Sequence, residues 1–140
     1  MAYAVKQDII DRYGEDILLT SFDPDNTGSA DDDLITKALA DASSEVDSYL
    51  AALYDVPLAT TPDIIVQRTV DIGVYLGSFR ADVMTDGKRQ RYEDAVAWLK
   101  LVAKGTIQLG LEAEPATKAG GAAVSNSALR RFTRDTMDGL

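Results

Sequence analysis

The densest set of oxygen-bearing side chains in the sequence is FDPDNTGSADDD, Phe22 to Asp33. Asp23, Asp25, Gly28 and Asp31 stand at positions one, three, six and nine of a calcium-binding EF-hand loop. Such a loop also needs an oxygen at position five and a bidentate Glu at position twelve. Those positions hold Thr27, a weak substitute, and Leu34, which has no side-chain oxygen. Losing the bidentate ligand removes two of about seven coordinating oxygens. Acid-rich loops with a glycine also precede helices, because Asp caps, turns and solvates the chain. The stretch is therefore read as a loop and a helix start, with weak calcium binding as the alternative.

Other chemistry finds little purchase. The chain has no cysteine and no histidine. Thiolate catalysis, cysteine metal clusters, Ser–His pairs and HExxH sites are all excluded. Carboxylates are so numerous that any acid–base pair is expected by chance. No glycine-rich phosphate loop follows a strand pattern, and GSADDD lacks the lysine of a P-loop. Trp98 and Tyr92 have the types of a base-stacking platform, but no basic groove accompanies them, so core packing is the expectation. The chain is expected not to be an enzyme and to use no cofactor and no metal.

The net charge of −9 is unevenly placed. Residues 1–66 hold fourteen acids against Lys6, Arg12 and Lys37, while residues 67–111 hold five acids and seven bases. Specific nucleic-acid binding is not expected, since phosphate binding needs clustered Lys and Arg. The split would let an acidic face of one copy meet a less acidic face of another, although acids also serve simply to keep a small protein soluble. KRQR, Lys88 to Arg91, sits at a predicted helix N-terminus, where the dipole disfavours cations. An acidic face of a partner would resolve that conflict. No run reaches the ~20 apolar residues of a membrane span, and MAYAVKQDII has no signal-peptide pattern, so a soluble protein is expected.

The elements that must carry these residues read as helices. VKQDIIDRYG has Val5, Ile9, Ile10 and Tyr13 at helical spacing and stops at Gly14. EDILLTSF adds a turn or two. From one of Asp31, Asp32 or Asp33 as N-cap, an apolar stripe runs through Ile35, Ala38, Leu39, Ala42, Val46, Tyr49, Leu50 and Leu53. After Pro57, Thr61 is expected to cap a third long helix with Pro62 at its first position. That helix, PDIIVQRTVDIGVYLGSFR, is apolar nearly all round, Phe79 included, which places it at the centre of a bundle. Gly73 and Gly77 on one face predict a close helix neighbour; its β-branched start leaves a strand over Ile64–Val66 as the competing assignment. DGKRQRYEDAVAWLKLVAKG is the last helix, closed by Gly105, and TIQLGL reads as short and extended. The fold class is all-α: a small bundle of four to five helices, residues 1–111, with a flexible C-terminal tail.

Composition changes after Leu111. Residues 112–128 are rich in Ala, Gly, Ser and Thr and read as a flexible linker spanning roughly 20–25 Å root-mean-square. Residues 129–140, LRRFTRDTMDGL, then interleave Leu129, Phe132, Met137 and Leu140 with Arg130, Arg131 and Arg134. A sticky, basic segment on a tether reads as a docking element, with Phe132, Met137 and Leu140 for apolar pockets and Arg130, Arg131 and Arg134 for carboxylates. The alternative is that it packs on its own domain.

ALADASSEVDSYLAALYDVPL (38–58), TPDIIVQRTVDIGVYLG (61–77), RYEDAVAWLKLVAKGTIQLGL (91–111) and RRFTRDTMDGL (130–140), in that order, resemble a family of small helical proteins from Mu-like tailed phages and prophages. The loop DPDNTGSADDD is longer than the family pattern leads one to expect. The resemblance implies a structural virion protein of the head–tail connector (adaptor or head-completion) type. It implies a homo-oligomeric ring at the virion neck, beneath the portal, with DNA passing through its lumen. Portal and tail-proximal neck proteins would be its neighbours, and bacterial cytoplasm its location before assembly. An acidic helical regulatory or inhibitory binding module is the alternative function.

Overall fold

Val70, Ile72 and Val74 alternate with Thr69, Asp71 and Gly73 along one helix, and all six are buried. A helix buried on every side must be surrounded by others. The computed structural model describes residues 2–111 and arranges them accordingly, as α1 (Lys6–Tyr13), α2 (Asp16–Phe22), α3 (Asp32–Leu50), α4 (Asp63–Arg80) and α5 (Asp86–Ala103). Helix α4 packs against each of the other four. Residues 112–140, and with them the expected linker and docking segment, lie outside the described residues.

Two apolar clusters flank α4. One joins α1, α2 and the first half of α3 to α4 through Ile9, Leu18, Phe22, Ile35, Leu39, Val70 and Val74. The other joins the second half of α3 to α4 and α5 through Val46, Leu50, Ile65, Ile72, Leu99 and Val102, closed by Tyr3, Tyr54 and Leu58. Each such side chain contributes about 1.5–3 kcal/mol by leaving water. The two glycines of α4 set the helix spacing. A Cβ on Gly73 would come within 2.9 Å of Leu39 Cδ2, and one on Gly77 within 2.6 Å of the Phe22 ring. The close neighbours that the glycine spacing predicts are therefore α3 and α2.

Local chemistry sets the ends. Asp31 caps α3, its carboxylate accepting from the amides of Asp33 (2.9 Å) and Leu34 (3.2 Å). Thr85 caps α5 by accepting from Lys88 N at 3.3 Å. Gly14, at φ +88°, ends α1 where L side chains are strained.

Four expectations are corrected. Helix α4 begins at Asp63, with extended Pro62 rather than Thr61 as its N-cap and no side-chain cap bond. Proline supplies no hydroxyl, and its fixed φ is already suited to the junction. Ile64–Val66 is helical, as the third-helix reading has it and not the competing strand, because burial in the bundle overrides β propensity. Helix α3 stops at Leu50, and residues 51–53 form turns from which Leu53 still packs on the core. Phe79 stands 71% exposed in the last turn of α4, on the side away from α2, although its neighbour Ser78 is fully buried against Ser21. Residues 106–111 form no strand.

Candidate functional site

A carboxylate inside an otherwise apolar helix demands donors, and Asp71 has them. Its side chain is 1% exposed. Arg12, in the last turn of α1, reaches it with both arms of the guanidinium: Nε donates to Oδ1 at 2.8 Å and Nη2 to Oδ2 at 2.9 Å. The Tyr13 hydroxyl donates to Oδ1 at 2.7 Å. Arg68, one turn back on α4, places Nη1 3.8 Å from Oδ2. Helix α5 closes the cluster. Arg91 lies over the Tyr13 ring at 4.7 Å, and Trp98 lies under the Arg68 guanidinium at 5.5 Å.

The electrostatics follow from this packing. Burial, and then the bond to Asp71, pushes the Tyr13 phenol up to about 12. Arg12 is held above its ordinary value, chiefly by its hydrogen bond to Asp71. The Asp71 carboxylate receives three donors, so it is a tie between α1 and α4 rather than a base open to a reacting group.

The remaining polar interior is also spent on fastening helices. Tyr3 accepts from Leu58 N at 2.9 Å, donates through its hydroxyl to Asp47, and gives its backbone N–H to Ser43 Oγ at 2.9 Å. Tyr92 stacks on Tyr75, with centroids 3.9 Å apart, and donates to Glu45 at 3.0 Å. The Tyr3 and Tyr92 phenols are each pushed up to about 12, first by burial. Lys88 is buried; its ammonium donates to Val83 O (3.1 Å) and Ser21 Oγ (3.4 Å), and burial lowers its pKa. The expectation that KRQR awaits a partner is thus corrected for two of its cations, since Lys88 is spent inside and Arg91 covers Tyr13.

Asp23 and Asp31 of the acidic loop serve the loop itself. Asp23 accepts from Thr27 N (2.9 Å), Thr27 Oγ1 (3.1 Å) and Gly28 N (2.8 Å). The Thr27 amide is the chief reason its pKa is lowered. With Asp31 committed to the α3 cap, two of the four aligned positions hold backbone in place.

Beside the network runs a cleft of about 490 Å³ between α1 and α4. Val66 and Val70 lie along it, with Asp8, Asp11 and Asp63 as its carboxylates. Arg12, which also lines it, is paired with Asp71. Among the described residues no cation pairs with Asp8, Asp11 or Asp63. Arg130, Arg131, Phe132, Arg134, Met137 and Leu140, the residues singled out for docking, lie outside the described residues. The Asp71 network went unremarked at the level of sequence, although its signal was there: one carboxylate between Val70 and Ile72 in a helix apolar on all sides.

Fold and site together define a small all-α protein whose buried polar groups bind helix to helix, and no helix among the described residues is long and apolar enough to cross a membrane. The chain belongs to the family described as "Bacteriophage Mu, Gp36", which matches residues 3–127. It is 33% identical over 139 residues to "Mu-like prophage FluMu protein gp36" of Haemophilus influenzae, covering 99% of this chain and 97% of that protein. It is also 33% identical over 125 residues to "Gene product J" of Escherichia phage Mu, covering 86% and 85% of the two chains. It is therefore a member of a Mu-like phage protein family.

Proposed function

We propose that this chain is a structural, non-enzymatic subunit of the phage particle: a head–tail connector of the adaptor or head-completion type, assembled as a ring below the portal at the virion neck. The observation that carries the proposal is how the ionisable interior is used. Asp71, Arg12, Tyr13 and Lys88 are all engaged in joining helices. That leaves surface matching, rather than turnover, as the work available to a member of a phage family.

A ring needs two different patches that meet head to tail. The excess of acids in residues 1–66 over residues 67–111 supports such a pair. DNA in the lumen is served by a chain of net charge −9, which gives phosphates little to hold. The segment 129–140 would fasten the subunit to a neighbour or to the portal, and the subunit would wait in the bacterial cytoplasm until a filled head offers that template. Electron microscopy of the full chain mixed with purified portal tests the assignment. A ring of added density on the portal is expected; saturable one-to-one binding without a ring would point instead to a regulatory module.

A further inference from the structure

We propose that the α1–α4 cleft is the receptor for the segment Arg130–Arg134 of a neighbouring copy. The proposal rests on the assembly role above and adds the place of contact. The cleft offers three carboxylates without cation partners among the described residues, above aliphatic Val66 and Val70. The segment offers three guanidinium groups around one aromatic ring, Arg130, Arg131, Phe132 and Arg134. Number and sign match, and half-buried Val66 gives Phe132 an apolar contact. At about 490 Å³ the cleft falls within the range of sites that take a few side chains. Arg12 does not oppose the incoming cations, because Asp71 neutralises it.

Cleft and segment are different surfaces of one chain. Each copy that donates its segment to the next keeps its own cleft free, so the contact repeats head to tail and closes wherever the rotation permits. Between Leu111 and Leu129 the chain has seventeen residues, enough to reach roughly 20–25 Å beyond the body. Outward-facing carboxylates in α1 and at the start of α4 are then the complement of a basic segment rather than simple solvation.

The chain has no cysteine, so introduced thiols report cleanly. Gln67→Cys places a thiol on the cleft wall without altering a charge, and Thr133→Cys places one beside Phe132. The two full-length single variants are mixed, added to purified portal so that they can assemble, and treated with a short bis-maleimide. A cross-linked pair between chains is expected, well above that from a Thr106→Cys control. Charge reversal at Asp11 and Asp63 should cut its yield roughly fivefold, as two weakened surface pairs would. No pair above the control, or cross-linking only within a chain carrying both thiols, overturns the proposal. Should residues 129–140 prove essential for assembly while no cross-link forms, the cleft assignment fails and the assembly role stands. If the chain lacking 129–140 still assembles, the docking role of the segment fails by itself.

Discussion

Replacing Asp71 by Asn isolates the charge at the centre of the bundle while keeping its shape. Asp71 is 1% exposed and accepts from Arg12 at 2.8 and 2.9 Å and from Tyr13 at 2.7 Å. Asparagine offers one acceptor oxygen in place of two and turns an amide N–H₂ toward a guanidinium. Breaking a buried pair from one side costs about 3–5 kcal/mol. The Arg12 side chain is 29% exposed and can turn toward water, which brings the cost just below that range, to about 2–3 kcal/mol. Total stability is of order 5–15 kcal/mol, so the loss is a large fraction of it. At roughly 4 °C per kcal/mol for a body of this size, Tm should fall by about 8–12 °C. Urea unfolding followed by Trp98 fluorescence reads the change, since Trp98 lies against Arg68 of the same cluster. In a cycle with Arg12→Met, the double variant should lose less than the sum of the singles by about 1–2 kcal/mol. An Asp71→Asn protein within ~0.5 kcal/mol of the parent would mean that the Asp71 charge does not hold α1 to α4.

Further outcomes follow from the same contacts. Gly77→Ala should destabilise by about 1–3 kcal/mol, because its Cβ meets the Phe22 ring; Gly73→Ala should be milder, because Leu39 Cδ2 is a flexible end, and thermal melts of the two would show the order. Asp31→Ala should cost about 1 kcal/mol through the lost α3 cap, and millimolar calcium should leave the parent's Tm and heat of titration unchanged. Tyr3, Tyr13 and Tyr92 are pushed up to about 12, so the folded form holds their protons more tightly than the unfolded chain, whose tyrosines ionise near 10. Their contribution is complete well below pH 10, begins to fall near pH 10 and is lost as pH rises toward 12, of order 1 kcal/mol each once partial exposure is allowed for; urea midpoints should agree at pH 8 and 9 and fall at 11.5.

What could be read in advance was periodic or capped. The stripe Ile35–Leu50, the Gly14 stop, an aspartate cap within Asp31–Asp33 and a close helix neighbour at Gly73 and Gly77 all follow from local rules; that the cap is Asp31 and the neighbours α3 and α2 came from the structure. Phe79 carries the right residue type for the core but stands on the open side of a turn whose Gly77 and Ser78 face α2, and in a helix apolar nearly all round the pattern does not say which side stays open. At the start of α4 the local preference, Thr61 as cap and Pro62 at the first helical position, missed by one residue, because the helix begins at Asp63 with no side-chain cap to fix its end. Partner choice was hidden most deeply. Asp71 was visibly out of place in α4, but that Arg12 and Tyr13, 59 and 58 residues away, answer it depends on how α1 lies across the bundle. Lys88 belonged to an evident basic run, yet its burial against Val83 and Ser21 reverses what the run alone implies.

If this chain works by assembling into the particle, as proposed, it should complete heads from a Mu-like phage that lacks the gene for it, when they are incubated with the purified full chain and then with tails. Recovery of tailed, infectious particles carrying several copies of the chain at the neck is the result expected. Heads that join tails equally well without it, or added chain that never becomes part of the particle, would contradict the account.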